Sequence, residues 1–446
     1  MRPVRPFWRA WANPTPPRVT KPLNKGRRRR WWNSLGPGLV TGAADDDPSG
    51  IVTYTQAGAQ FGCGLLWTVV LTTPLMVAVQ LASARLGWAT RSGIGTSLRQ
   101  HYPQPVVLAL VALLAAANIF NLGADLAAMV EVAHLATGLN HPVAWLLGIA
   151  GGSLLLEVLV PFDRYAPLLK LLTLALLSYA GVLFVVAVPW TDVLRGALGL
   201  AINPLHGRAA GFNLDTGLMV CAVFGTTISP YLFFWQASHE AEDGNFLGGA
   251  NSPPLAAGWA AIRFDTMVGM AFSNGVALAV MVAAAATLYG AGGAQVSTAG
   301  QAAAALRPVA GEAAFLLFTL GMLGAGLLAV PVLAGSTAYA VAEAFGWKAS
   351  LEMPFWRAPR FYALLCGTVG AAVLLQVMNT DPMRMLFWAA VINGLVAVPI
   401  LVALLLLVRR QDVMGPWQAS RRLMVVSWLA VAVMTAVAAM LVATSL

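Results

Sequence analysis

The sequence predicts an all-α membrane protein of about eleven spans, arranged as two inverted five-span repeats followed by one further helix. Three observations predict it. Of 446 residues, 59% are hydrophobic and 10% are charged, against about a quarter charged in a soluble domain, so the chain cannot clothe a soluble surface. Runs of about 20 apolar residues, enough to cross the hydrocarbon core, recur from end to end. Two of these runs, five spans apart, are interrupted at mid-length by Gly, polar residues and Pro, the paired defect expected of inverted repeats.

The first 33 residues form a tail. Ten of the 27 Lys and Arg residues lie in it, ending in Arg27-Arg28-Arg29-Arg30, and it is rich in Pro. Such composition predicts a disordered segment. No apolar run with a small-residue cleavage site follows a short basic start, so it does not read as a secretory signal. Trp31-Trp32 behind it reads as an interfacial anchor. Residues 34–446 read as one transmembrane domain, with repeat one at about 34–188, repeat two at about 213–408 and an extra helix at 421–444. The predicted spans are 34–60, 65–86, 105–135, 143–160, 165–188, 213–241, 259–287, 313–342, 359–377, 382–408 and 421–444.

Charge gives an independent count. With the N-terminus in the cytoplasm and eleven crossings, the inner side holds 23 of the 27 basic residues. These are the ten of the tail with Arg85, Arg91, Arg99, Arg164, Lys170, Arg263, Lys348, Arg357, Arg360, Arg409, Arg410, Arg421 and Arg422. The outer side holds Arg195, Arg208, Arg307 and Arg384. This asymmetry is the positive-inside pattern, and it predicts a multi-pass protein of the cell (inner) membrane with its C-terminus outside. The net charge of +9 therefore points to the bilayer and not to nucleic acid. Cys63, Cys221 and Cys366 have neither disulfide nor zinc spacing.

The broken spans carry the chemistry. Span 1 reads Gly42-Ala43-Ala44-Asp45-Asp46-Asp47-Pro48-Ser49-Gly50, and span 6 reads Gly225-Thr226-Thr227-Ile228-Ser229-Pro230-Tyr231. Pro removes a helix hydrogen bond, and the freed carbonyls need a partner that lipid cannot supply. Span 6 alone is equally compatible with an ordinary Pro kink. Span 1 is not, because three carboxylates at mid-span cost at least ~2.5–3.5 kcal/mol each on insertion scales. The expected unwound segments are 46–50 and 227–231, meeting near mid-membrane.

At these residues the chain resembles the Nramp family of divalent-metal transporters, over nearly everything from Ser34 onward, including Gly36-Pro37-Gly38 at the entry to span 1 and Ala334-Gly335-Ser336-Thr337 in span 8. The resemblance implies the LeuT-type fold, an inverted 5+5 repeat with helices 1 and 6 broken. The family's Asp-Pro-Gly-Asn reads here Asp47-Pro48-Ser49-Gly50, and its Met-Pro-His reads Ser229-Pro230-Tyr231. Carried over residue by residue, the ligand carboxylate is Asp47, the Asn position is Gly50, the Met position is Ser229, and the ligand carbonyls are those of Ala44 and Thr226. Replacing a soft thioether by a hydroxyl leaves oxygen chemistry, and Gly50 is expected to leave space. A roomy, carboxylate-rich oxygen site suits a partly hydrated Mg²⁺, and the chain looks most like the Nramp-related magnesium transporter branch.

A further departure concerns protons. The span-3 Asp-x-x-Glu of proton-coupled members reads Asp125-Leu126-Ala127-Ala128, and the span-6 His is Tyr231, which does not titrate near neutral pH. The expectation is facilitated uptake of Mg²⁺, with Mn²⁺, down the membrane potential, which gives a divalent ion roughly 4.6 kcal/mol per 100 mV, twice the single-charge value. The alternative is proton-coupled import of Mn²⁺ or Fe²⁺. An amino-acid or organic-cation symporter of the same fold is disfavoured, since such a site needs free amides and not three Asp. No nucleophile–base pair or cofactor loop argues for an enzyme, and no cofactor or obligate protein partner is expected beyond the transported cation and the lipid bilayer.

Asp45 and Asp46 are expected along the ion pathway. Asn118, Asn121 and Asp125 share one face of span 3. The two Asn either back the site or hydrogen-bond between helices, whereas Asp125 reads as functional. Gln236, His239, Glu240, Glu242 and Asp243 form an acidic cluster towards the cytoplasm, which reads as a solvated helix end in preference to a cation exit. Asn393 beside Gly394 lies at mid-span within reach of the site.

Overall fold

A computed structural model describes residues 37–160, 174–200, 214–246, 255–289, 299–307, 314–378 and 381–445, and positions 164, 171 and 311. The basic tail, Trp31-Trp32, the start of the expected fifth span and the side chain of Asp243 lie outside the described residues. All described regular elements are helical.

The first repeat opens with α1 (Pro37–Asp45) and α2 (Pro48–Phe61), which together make span 1. A 3₁₀ turn at Gly62–Leu65 leads directly into α3 (Leu66–Thr90). That turn begins at Gly62 with φ +56°, a backbone region that a side chain disfavours. The short α4 (Ile94–His101) connects to α5 (Gln104–Thr137), which is followed by α6 (Pro142–Leu159). α7 (Ser178–Val185) is the described remainder of span 5, and α8 (Trp190–Ala197) follows it.

The second repeat opens with another split span, α9 (Leu214–Thr227) and α10 (Pro230–Phe246). It continues through α11 (Leu255–Thr287), the short α12 (Ala299–Ala304), α13 (Ala314–Ala344), α14 (Pro359–Met378) and α15 (Pro382–Arg409). The four-residue α16 (Gln411–Met414) and a 3₁₀ turn at Gly415–Trp417 lead to the final helix, α17 (Arg421–Ser445).

Among the described residues, nine continuous stretches are long and apolar enough to cross a membrane. One of them, Pro48–Thr90, joins half of span 1 to span 2, so the nine account for ten of the eleven expected spans. The fifth cannot be followed, because residues 161–163, 165–170 and 172–173 are outside the described set.

The two split spans lie at the centre. α2 is buried from Pro48 to Ala59, and the α9–α10 stretch is buried almost throughout, while α6 and α17 are mostly exposed. α11 lines α1, α2 and α3, and α5 packs against α13, α14 and α15.

Both breaks are shorter than the sequence predicts. Only Asp46 and Asp47 leave the helix in span 1, and only Ile228 and Ser229 in span 6. The reason is that Pro48 and Pro230 do not lie within the unwound segments but open the second half-helices. Proline is preorganised for a first helical position, where its missing N–H is not needed. Asp47 completes the restart as N-cap, accepting a hydrogen bond from the Gly50 N–H.

α1 is seated on α11 by backbone contact. A Cβ on Gly42 would collide with the Gly269 carbonyl, and one on Gly269 would collide with the Gly38 carbonyl. The Gly38 N–H, one of the donors left unpaired at a helix start, is bonded to Asp265 Oδ2 of α11 at 2.7 Å. Small residues that allow such approach are a main device of helix association in lipid.

Gly42→Leu should therefore lift α1 from α11 and lower stability by about 1–3 kcal/mol, the usual range for overpacking. Gly275→Leu, on the same α11 with nothing within 4 Å, should be close to neutral. Melting temperatures of the two purified variants in detergent check this, and equal shifts would refute the seam.

Candidate functional site

Asp47 is the centre of the site. Its side chain is 1% exposed and all its bonds are to neutral donors. Oδ1 accepts from Ser49 Oγ at 2.6 Å and from the Gly50 N–H at 2.8 Å. Oδ2 accepts from Asn121 Nδ2 of α5 at 2.9 Å and from the Tyr231 hydroxyl of α10 at 3.2 Å. The same hydroxyl lies 3.2 Å from the Ala44 carbonyl at the end of α1. Ala44 O and Asp47 Oδ2, two of the expected ligands, thus face a common point between the half-helices.

The second break contributes from the other side. Ser229 Oγ donates to the carbonyls of Gly225 and Thr226 at 2.8 and 3.0 Å, so the hydroxyl and the expected Thr226 ligand are neighbours. Thr227 donates to the Val223 carbonyl at 2.6 Å. Its oxygen lies 3.1 Å from the Tyr54 hydroxyl, which must supply the proton of that contact because Thr227 has already spent its own. Tyr54 thereby joins α2 to the end of α9.

Gly50 does not leave the space expected of it. A Cβ there would stand 3.1 Å from Thr226 Oγ1 and 3.3 Å from the Asp45 carbonyl. The second broken span occupies the place of the missing side chain, so the site is closely packed here.

The two further carboxylates of the triplet turn elsewhere. Ser273 Oγ of α11 donates to Asp45 Oδ2 at 2.5 Å and lies 3.3 Å from Asp46 Oδ1. They flank the Asp47 site on the α11 side and do not share its donors. Asp125 is fully buried, lies near Asp47 and the Ser49 backbone, and makes no hydrogen bond of good geometry.

The two Asn of α5 separate. Asn121 bonds Asp47, whereas Asn118 bonds the Leu333 carbonyl, Ser336 and Thr337 of α13, which is interhelical packing. Asn393 is buried with both amide atoms unpaired, and Gly394 beside it meets Gly225 of the broken span.

The cluster expected as a solvated helix end is buried in part, with His239 and Glu242 half-buried. Gln236 and Glu240 are 0% and 2% exposed, and Gln236 donates to Thr266 Oγ1 of α11 at 2.8 Å. The cause is that α10 runs on to Phe246 between α3 and α13, so residues 236–240 lie inside the bundle.

Sequence reasoning passed over Ser49, Tyr54, Ser273 and Asp265. Ser273-Asn274, a polar pair at the middle of an apolar span, was the available signal for α11.

The groups gathered at the breaks are carboxylate, carbonyl, hydroxyl and amide, a donor set for hard cations. Among the described residues no three His, Cys, Asp or Glu side chains converge into a cage. The arrangement is a carboxylate beside carbonyls at the ends of the broken helices, a form that permits release as well as binding.

Comparison with known proteins shows the family and the fold. The family model for natural resistance-associated macrophage protein-like (Nramp) chains matches residues 38–444. The divalent metal cation transporter MntH of Klebsiella pneumoniae (strain 342) is 29% identical over 444 residues, covering 97% of this chain and 99% of that protein. MntH of K. pneumoniae subsp. pneumoniae is 28% identical over 438 residues, with the same coverage.

Solved structures match in fold. The Eremococcus coleocola manganese transporter, in complex with an aromatic bis-isothiourea substituted compound, matches with a TM-score of 0.72 at 17% identity, over 96% of this chain and 89% of that one. Mhp1, a nucleobase-cation-symport-1 family transporter in a closed conformation, matches with a TM-score of 0.53 at 15% identity, over 92% of each chain.

Removal of the carboxylate in Asp47→Ala is expected to reduce ion uptake by proteoliposomes to background, with the melting temperature nearly unchanged. Asn121→Ala, which removes a bond that orients Asp47, should weaken apparent ion affinity by about 10–100-fold, the usual cost of losing such support. Normal uptake by folded Asp47→Ala would place the site elsewhere.

Proposed function

Because the chain belongs to the Nramp family, a family of divalent-metal transporters and not enzymes, we propose that it carries Mg²⁺, with Mn²⁺ as a second substrate, by facilitated transport through the Asp47 site. The observation that supports Mg²⁺ is the all-oxygen character of the site. Asp47, the carbonyls of Ala44 and Thr226, and the hydroxyls of Ser229 and Tyr231 stand where a thioether would favour softer metals. The unpaired oxygens of Asp125, Asn121 and Asn393, buried around the breaks, are suited to accept hydrogen bonds from waters retained by an incompletely dehydrated ion.

Absence of proton coupling is supported by Ala128 and Tyr231 at the positions of the titratable groups. The direction is inward because an inside-negative potential draws in a divalent cation, and the N-terminus is cytoplasmic on the strength of the basic-residue asymmetry. Asp45 and Asp46, next to the site on the α11 side, add negative potential to the ion's path.

One observation favours the second reading, proton-coupled Mn²⁺ import. Relatives covering the whole chain are described as MntH, and a structural neighbour is a manganese transporter. Asp125 is then the carboxylate to carry the proton. An amino-acid substrate is disfavoured, since an anionic side chain at the centre repels its carboxylate.

Uptake into proteoliposomes under an inside-negative potential separates these readings. The expected outcome is Mg²⁺ uptake competed by Mn²⁺, with no metal-dependent acidification of the lumen above protein-free vesicles. Acidification that disappears in Asp125→Asn would establish the second reading.

Selectivity is tested by Gly50→Asn with Ser229→Met. The new Asn must displace Thr226 by a few tenths of an ångström, so folding is checked first by melting temperature. The folded double variant should gain Cd²⁺ and Mn²⁺ affinity and lose Mg²⁺ transport. Unchanged Mg²⁺ transport with no gain for Cd²⁺ would move the selectivity determinant to the surrounding acids.

A further inference from the structure

One corner of the molecule carries positive charge that the described residues balance only in part. It lies where α15 ends and α17 begins, against the end of α3. Arg85 of α3 donates from Nε to the Trp417 carbonyl at 2.8 Å, and its guanidinium lies 4.8 Å from the centre of the Trp259 ring. Trp88 packs edge-on to Trp417 at 4.7 Å and against Trp259 at 6.1 Å. The turn between the helices folds back on itself, with Gln418 Nε2 3.4 Å from the Arg409 carbonyl. Arg409, Arg410, Arg421 and Arg422 are exposed around this indole cluster.

The acids nearby are already used. Arg410 holds Asp412 through two bonds at 3.0 and 2.7 Å, and this pairing keeps the Asp412 carboxyl below its ordinary range. Among the described residues, Arg409, Arg421 and Arg422 pair with no carboxylate. The basic tail brings no relief, since the first acid in the chain is Asp45.

The position of two of these charges makes the imbalance worse. Ser420 caps α17, accepting from the Leu423 N–H at 3.3 Å, so Arg421 and Arg422 occupy the first turn of a 25-residue helix. That end carries the positive pole of the helix dipole, where cations are disfavoured. A purely topogenic role would be served as well by basic residues anywhere in the loop.

α15 and α17 both cross the membrane, so the corner lies at the bilayer surface, and Trp residues are the side chains that favour that depth. We propose that it binds an anionic phospholipid, with the phosphodiester headgroup held by Arg409, Arg421 and Arg422 and the glycerol region against Trp417. Basic pockets at the ends of membrane helices recognise headgroups through this charge complementarity. A lipid seated there bridges α15 and α17 and fastens the eleventh helix to the bundle.

The test uses the full-length protein in neutral detergent at low salt. Melting temperature is followed during titration with short-chain phosphatidylglycerol, phosphatidylcholine or inorganic phosphate. Phosphatidylglycerol should raise it at far lower concentration than phosphatidylcholine, and inorganic phosphate should have no effect.

In Arg421→Gln with Arg422→Gln, the preference for phosphatidylglycerol should fall by about 30-fold, from the typical contribution of two basic residues near a membrane surface. Metal uptake by that variant in phosphatidylcholine vesicles should be unaffected. If it does not fold, Arg409→Gln is the substitute, with a fall of about 5-fold expected. Equal response to both lipids, an undiminished preference in the variants, or reproduction of the effect by inorganic phosphate would each overturn the proposal.

Discussion

On the reading proposed above, the structure is organised around one carboxylate that must be negative in the middle of a membrane when a cation is bound. Asp47 meets this requirement with four neutral donors drawn from three places: its own restarted helix, α5 and α10. Dipoles of this kind stabilise charge without cancelling it, whereas a Lys or Arg in the same place would occupy the cation's seat. The break in span 1 follows from the same need. Unwound backbone puts the Asp47 side chain at a helix N-terminus, where negative charge is favoured, and frees the Ala44 carbonyl beside it.

A break of two residues is structurally costly in lipid, and the surrounding elements are shaped to satisfy it. Tyr54, Ser229 and Tyr231 bond backbone or side chains across the breaks. Glycines bring neighbouring helices to backbone contact at Gly42, Gly269 and Gly225. The outer helices, α6 and α17, carry little of this burden and are mostly exposed.

The fold and the existence of the site were legible because they depend on local chemistry. Apolar length, Pro at mid-span and consecutive carboxylates each have one economical explanation in a bilayer. What remained hidden depends on the rotation of helices about their axes. Asn118 and Asn121 are three residues apart on α5, yet one bonds α13 and the other Asp47. Asp45, Asp46 and Asp47 lie at the point where helical geometry stops, so their directions follow from the end of α1 and from Ser273, which is 227 residues after Asp46. Gly50 shows a further limit. A missing side chain predicts room only if its neighbours stay in place, and here Thr226 takes it.

The Tyr231 hydroxyl, shared between Ala44 and Asp47, bears on the half of the working cycle in which nothing is carried. A carrier without a second substrate has to reset empty. If its anionic centre were then bare, the closed, dry intermediate would be too unfavourable to visit, and turnover would stall. If the chain carries its ion uncoupled through Asp47, as proposed, one phenolic O–H and one amide N–H take the place of the departed cargo, and because both are neutral they yield to the next ion without having to be expelled as charge. On that reading, the resting contacts that join α1 to α10 and α5 to the break also let the empty protein turn around.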